Sequence, residues 1–200
     1  MPTQVALLRG INVSGQNLLR MESLRQSFEA MGFEAVRTYV QSGNILFSHG
    51  RSATEAALVR SIAARLQKDF GLTVQVMVRS ASELGRIARS NPLLEEKGID
   101  AAKLHVTFLG SAPAPRTEAG LKPLVAGLER CEVVGREVFL YCPDGYGRSR
   151  LSNAAIEKKL GVTATTRSWK TVQALLELLG AEDPGSLTDT RAGQPKRGRR

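Results

Sequence analysis

The first residues with chemical promise lie near the start of the chain, in GINVSGQN, residues 10–17. Gly10 and Gly15 have the G-x-x-x-x-G spacing of a phosphate-binding loop. A Walker A loop, however, needs Lys and then Ser or Thr after the second glycine, to reach the phosphates and hold magnesium. Gln16 and Asn17 stand at those places, and the apolar period of the following helix begins only at Met21. Walker-type chemistry is therefore not expected. A second stretch, DGYGRSRLSN at 144–153, carries Tyr146, Arg148, Ser149 and Arg150 ahead of a helix with Ser152 as its expected N-cap. Arginines and free amides at a helix start suit an anion. Arg167, just before the single tryptophan, Trp169, reads as a further anion contact or a surface charge. Trp169 itself reads as a packing anchor.

Other catalytic signatures are missing from the sequence. There are two histidines, His49 and His105, and no H-x-x-x-H or C-x-x-C, so no metal site is expected. No cofactor is expected either. No Gly-x-Ser-x-Gly elbow occurs, and nothing beside Cys131 marks it as a nucleophile. Catalytic residues remain unassigned.

The elements that must position these residues follow from hydrophobic period and turn chemistry. Residues 4–10 read as a buried strand, and Met21, Leu24, Phe28 and Met31 as a helix stopped by Gly32. Strands 35–40 and 44–47 flank QSG, a tight turn. Ser52-Ala53-Thr54-Glu55 has capping-box spacing and opens a helix with an apolar stripe from Leu58 to Phe70. Residues 73–78 alternate as a strand. The order β-α-β-β-α-β is that of a ferredoxin-like split βαβ unit.

A second series follows. Ser80-Ala81-Ser82-Glu83 opens a helix ending before Asn91-Pro92. Then come strand 103–110, helix 118–129, strands 131–134 and 137–142 joined at Gly135-Arg136, helix 152–160, and a last helix, 168–179, where a final strand would be expected. The expected fold class is α+β, with two ferredoxin-like halves packed together, the second modified by a C-terminal helix. The halves are placed at 1–79 and 80–183, with a disordered basic tail at 184–200. No residue-level repeat is evident. The first strand is apolar on both faces, so the open sheet face needs a cover: the second half, the last helix or a partner chain.

This topology sets strands one and three side by side and antiparallel. It brings Arg9, Gly10 and Asn12 toward Gln41, Ser42, Gly43 and Asn44, two polar turns at one sheet rim. That rim is the first candidate ligand site. Tyr146, Arg148, Ser149 and Arg167 are the second. The alternative for the first is that Asn12 and Asn44 simply tie the turns together.

At 200 residues, with 42% hydrophobic and 24% charged residues, the chain has an ordinary globular composition. No apolar run reaches the roughly 20 residues of a membrane span. With no secretory signal and two cysteines, a cytoplasmic location is expected. The net charge is +9, but RAGQPKRGRR at 191–200 carries five cations and no acid, which leaves +4 for residues 1–190. That tail could hold nucleic acid weakly and without sequence preference. Base-stacking recognition is not expected: the first strand has no aromatic residue and the third only Phe47.

Three stretches, VALLRGINVSGQNLLRMESLRQSFEAMGF, VRTYVQSGNILF and YGRSRLSNAAIEKKLGVTATTRSWKTVQALLEL, together resemble a bacterial family catalogued as domain of unknown function 1697. The resemblance spans about residues 3–180. It implies an α+β protein of two ferredoxin-like halves and brings no catalytic residues with it. The family commonly carries lysine at the place of Gln16 and Asn-Trp-Asn at that of Ser168-Trp169-Lys170; this chain departs at both. The expected function is binding of an anionic ligand: a nucleotide, a phosphometabolite or a nucleic-acid backbone. The alternatives are an enzyme acting on a phosphorylated or acylated metabolite, and a homo-oligomeric or protein-interaction module. The oligomeric state is not read from the sequence.

Overall fold

The computed structural model describes residues 3–12, 17–50 and 53–180. The tail expected at 184–200 and Gly15, Gln16 and Ser52 lie outside the described residues. The protein is a mixed α+β structure with two four-stranded antiparallel sheets. In the first, β1 (Gln4–Leu8), β2 (Glu34–Tyr39), β3 (Asn44–Ser48) and β4 (Val76–Ser80) run in the order β2-β3-β1-β4. In the second, β5 (Leu104–Leu109), β6 (Arg130–Val134), β7 (Glu137–Tyr141) and β8 (Ala164–Ser168) run β6-β7-β5-β8. The two orders correspond strand for strand.

Among the described residues there are five α-helices: α1 (Met21–Glu29), α2 (Glu55–Phe70), α3 (Ala81–Arg89), α4 (Asn153–Leu160) and α5 (Trp169–Leu178). Local chemistry accounts for most of their ends. Thr54 caps α2 by accepting from the Ala57 amide at 3.2 Å. Ser80 and Glu83 form a full capping box on α3, and Ser152 and Ser168 cap α4 and α5. Gly71 and Gly161 end α2 and α4 in the left-handed conformation, which costs glycine no Cβ clash.

Three expectations need correction. The helix expected over 118–129 is a 3-10 helix, Thr117–Leu124. Pro123 lies inside it, lacks an N–H and would clash with the carbonyl four residues back in an α-helix. The strand expected at 73–78 pairs instead over Val76–Ser80, opposite β1, so its last residue is also the N-cap of α3. The third correction matters most: the second half does contain its fourth strand. β8 pairs with β5 from Ala164 to Ser168, and the last helix follows that strand rather than replacing it. α3 follows β4 in the same way.

One cluster lies between the sheets. Val5, Leu7, Leu46 and Met77 of the first sheet meet Val106, Phe108 and Phe139 of the second, together with α3 and with Trp169, Val172 and Leu176 of α5. The open face of the first sheet is thus covered by the other half and the last helix. Trp169 is buried in this cluster, as a packing anchor should be. The outer faces carry their own clusters, under α1 and α2 on one side and under α4 on the other.

Candidate functional site

The two polar turns of the first sheet do meet. β1 and β3 are antiparallel neighbours, and the Leu8 amide donates to the Gly43 carbonyl at 2.8 Å. Gly43 has φ +70°, and a Cβ there would stand 2.9 Å from the Leu8 Cβ, so glycine is required. Asn12, at φ +54°, donates through Nδ2 to the carbonyls of Leu19 (2.9 Å) and Gln41 (3.0 Å) and accepts from the Leu19 amide at 2.7 Å. This side chain is a tie between the turns. The Gly10 carbonyl accepts from Asn17 Nδ2 at 3.0 Å. The β2–β3 turn has four residues, Val40 to Gly43. Val40 is half exposed at φ +49°, a strained conformation for a β-branched residue.

Asn44 is fully buried. Its Nδ2 donates to the Tyr39 carbonyl (3.1 Å) and the Ser42 hydroxyl (2.9 Å), and its Oδ1 accepts from Arg167 Nε at 2.6 Å. Arg167, a member of the second candidate group, therefore lies at the junction of the first. From β8 it reaches across to the first sheet and gives Nη2 to the carbonyls of Leu8 (2.8 Å) and Ser42 (3.0 Å). Its Nη1 bonds the Thr165 hydroxyl (2.8 Å) and the Thr166 carbonyl (2.9 Å). All five donors go to neutral oxygens, and among the described residues no carboxylate stands within ion-pair distance. Burial lowers its pKa to about 10, with a small opposing effect from Tyr146. At neutral pH it remains a cation.

The rest of the second group lies close to this junction only in part. The Tyr146 hydroxyl donates to Thr166 Oγ1 at 3.1 Å, and Thr166 donates to Asn153 Oδ1 at 2.7 Å. Burial raises the Tyr146 pKa, while the Thr166 and Asn153 contacts and the nearby Arg9 charge work against that. His105 stacks on Tyr146 with ring centroids 5.1 Å apart, and burial lowers its pKa. Arg9 forms an ion pair with Glu157 of α4 at 2.7 Å and keeps about a third of its side chain exposed. Ser149 accepts from the Leu151 amide, and Arg148 is exposed on the 3-10 turn Tyr146–Arg148. Burial pushes the Cys131 thiol up to about 12, so it is no thiolate nucleophile at neutral pH. Among the described residues, no three His, Cys, Asp or Glu side chains group to hold a metal.

A second junction was missed in the sequence. Val5 faces Arg79 across β1 and β4, just as Val106 faces Arg167 across β5 and β8. Leu7 faces Asn44 and Phe108 faces Glu137. Arg79 thus occupies the place in the first sheet that Arg167 occupies in the second, and Glu137 the place of Asn44. The bonds correspond too. Arg79 gives Nη2 to the Leu109 carbonyl at 2.8 Å, Nη1 to the Val78 carbonyl at 2.9 Å and Nε to Glu137 Oε1 at 3.0 Å. Each half therefore sends one arginine to the end of the other half's first strand. The sequence signal is short: Arg-Ser at 79–80 and 167–168, each closing a strand, with the serine capping a helix.

Two four-stranded antiparallel sheets packed through a shared core define an α+β protein, and the comparisons agree. The family described as "Protein of unknown function (DUF1697)" matches residues 1–139, and the chain belongs to this family. The residues from 140 onward, with the YGRSRLSN stretch, lie beyond that match. A solved structure, the conserved bacterial protein SP0830 from Streptococcus pneumoniae, is similar in fold at a TM-score of 0.67 and 22% identity, covering 90% of this chain and 99% of the other. A search of the curated proteins finds no match. No helix of the described residues is long and apolar enough to cross a membrane.

Proposed function

We propose that the protein binds an anionic ligand over the junction of the β1–α1 loop, the β2–β3 turn and β8. One observation carries this reading: Arg167 is a buried cation held only by neutral oxygens. Arg9 adds a second, part-exposed cation close by, paired with the Glu157 carboxylate. An anion seated above Arg9, Gln41 and Ser42 gains Coulomb energy in a partly desolvated field, without breaking any hydrogen bond of Arg167. Gln41 is exposed and Ser42 half-exposed, whereas Asn12, Gly43 and Asn44 act as the frame. The ligand class is a nucleotide, a phosphometabolite or a nucleic-acid backbone, in a cytoplasmic setting.

The corresponding strand orders and the matched Arg79 and Arg167 support a ferredoxin-like duplication, with halves near 1–79 and 80–183. The test of function is calorimetric titration with pyrophosphate. Residues 1–190 are expected to bind as the full chain does, and Arg9→Ala to weaken binding about tenfold, roughly 1.4 kcal/mol. Loss of all binding on truncation at Thr190 would assign it to the tail and sink this reading.

A further inference from the structure

A separate cavity opens on the outer face of the first sheet, where the end of α1 and the first turns of α2 stand apart. Its volume is about 580 Å³, inside the range of about 300–1,000 Å³ common for small-molecule sites. Phe33, half-buried, lines it. Its ring stacks on the fully buried Phe47 at 4.6 Å and 29°, and Phe28 meets both rings at 5.7 Å. The His49 ring stands 6.3 Å from each of Phe33 and Phe47 and extends this aromatic floor. Ala57 keeps the wall low because its side chain is small. Ser61 donates its hydroxyl hydrogen to the Leu58 carbonyl at 3.0 Å, which leaves its oxygen able to accept. Among the described lining residues there is one carboxylate, Glu34, and neither Lys nor Arg. None of those described residues offers an anion a counter-charge.

We infer that this cavity binds an uncharged planar aromatic molecule bearing an N–H or O–H donor, with its ring against Phe33 and its donor toward the Ser61 hydroxyl. A ring on a fixed aromatic floor gains offset-stacking energy beyond its buried area. The inference uses none of the residues of the anion junction and does not depend on it.

Indole is the probe, titrated into the 15N-labelled full-length protein by NMR. Saturable shifts are expected at residues 31–34, 49–50 and 57–61. Ala57→Phe, which fills the cavity, should weaken indole at least tenfold, and Phe33→Leu, which keeps an apolar floor without the ring, about fivefold. Pyrophosphate binding should be unchanged in both. Thermal melts check that each variant is folded, and the two variants fail independently. Shifts that never saturate, shifts elsewhere in the protein, or undiminished indole binding in the folded variants would overturn the inference.

Discussion

Arg79 and Arg167 hold equivalent places and make equivalent bonds, yet their electrostatics differ. Arg79 is fully buried against Glu137, which is itself almost fully buried, and Glu55 stands 3.5 Å away. Arg136, one residue before Glu137, pairs with Glu55 at 2.8 Å and with Glu83 at 2.9 Å. Both cations thus have carboxylate partners inside the protein. Arg167 has an asparagine amide where Arg79 has a carboxylate. A buried charge without a counter-charge is costly, and hydrogen bonds offset that only in part. The same backbone device is thus neutralised at one end of the interface and left positive at the other. The turns differ in step with this. β6 and β7 are joined by two residues, Gly135 and Arg136, whereas β2 and β3 are joined by four. The longer turn lays the Ser42 carbonyl on Arg167 and leaves Val40 and Gln41 exposed at the rim.

Replacing the arginines should separate the two junctions. Arg79→Met strands Glu137 as a buried, unpaired carboxylate, so urea unfolding should show a loss of about 3–5 kcal/mol. Adding Glu137→Leu removes the stranded charge and should restore most of it. Arg167→Met strands only neutral acceptors and relieves a desolvated cation, and a smaller loss, about 1–2 kcal/mol, is expected. Adding Asn44→Leu should restore nothing, because Asn44 also ties Tyr39 and Ser42. If Arg167→Met proved the more damaging, the charge contrast between the junctions would be wrong.

The pH dependence sharpens the contrast with a smaller effect. Burial pushes the Glu83 carboxyl up, but hydrogen bonds from the Ser80 amide and hydroxyl, with the Arg79 and Arg136 charges, outweigh it and hold the group below its ordinary value. A carboxylate with a lowered folded pKa stabilises the fold above its unfolded pKa, about 4.3, and loses that contribution as pH falls through the folded value. The stability gap between the native protein and Glu83→Gln should therefore shrink from pH 6 to pH 3, by a small amount because about a third of the Glu83 side chain is exposed and solvent screens its pairs. Arg167 behaves otherwise. Its pKa is lowered only to about 10; the fold disfavours the charged form, and that penalty is constant below about pH 10 and relieved only above it. The effect of Arg167→Met should be flat from pH 5 to 9. A slope in that window would place a titrating partner at the Arg167 junction.

Much of the fold was legible because its signals are local. Serine and threonine caps, glycine stops and apolar periods placed most elements within a few residues. The neighbouring of the 9–12 and 41–44 turns followed from strand order alone. β8 was not legible. In Ala-Thr-Thr-Arg-Ser, the polar Thr165 and Arg167 are buried, and only their partners make burial tolerable. Those partners are far off in the chain: Asn44 and Arg167 are separated by 123 residues, and Arg79 and Glu137 by 58.

The sequence by itself determined where helices and strands start and stop, because caps, glycines and hydrophobic period act within a few residues of one another. It also placed the polar rim of the first sheet. Only the tertiary structure decided that Arg167 of the second candidate group sits at the junction of the first, and that among the described residues one of two matched arginines lacks a counter-charge. Burial and charge balance are set by groups brought together across the chain, and no local pattern records which of them will meet.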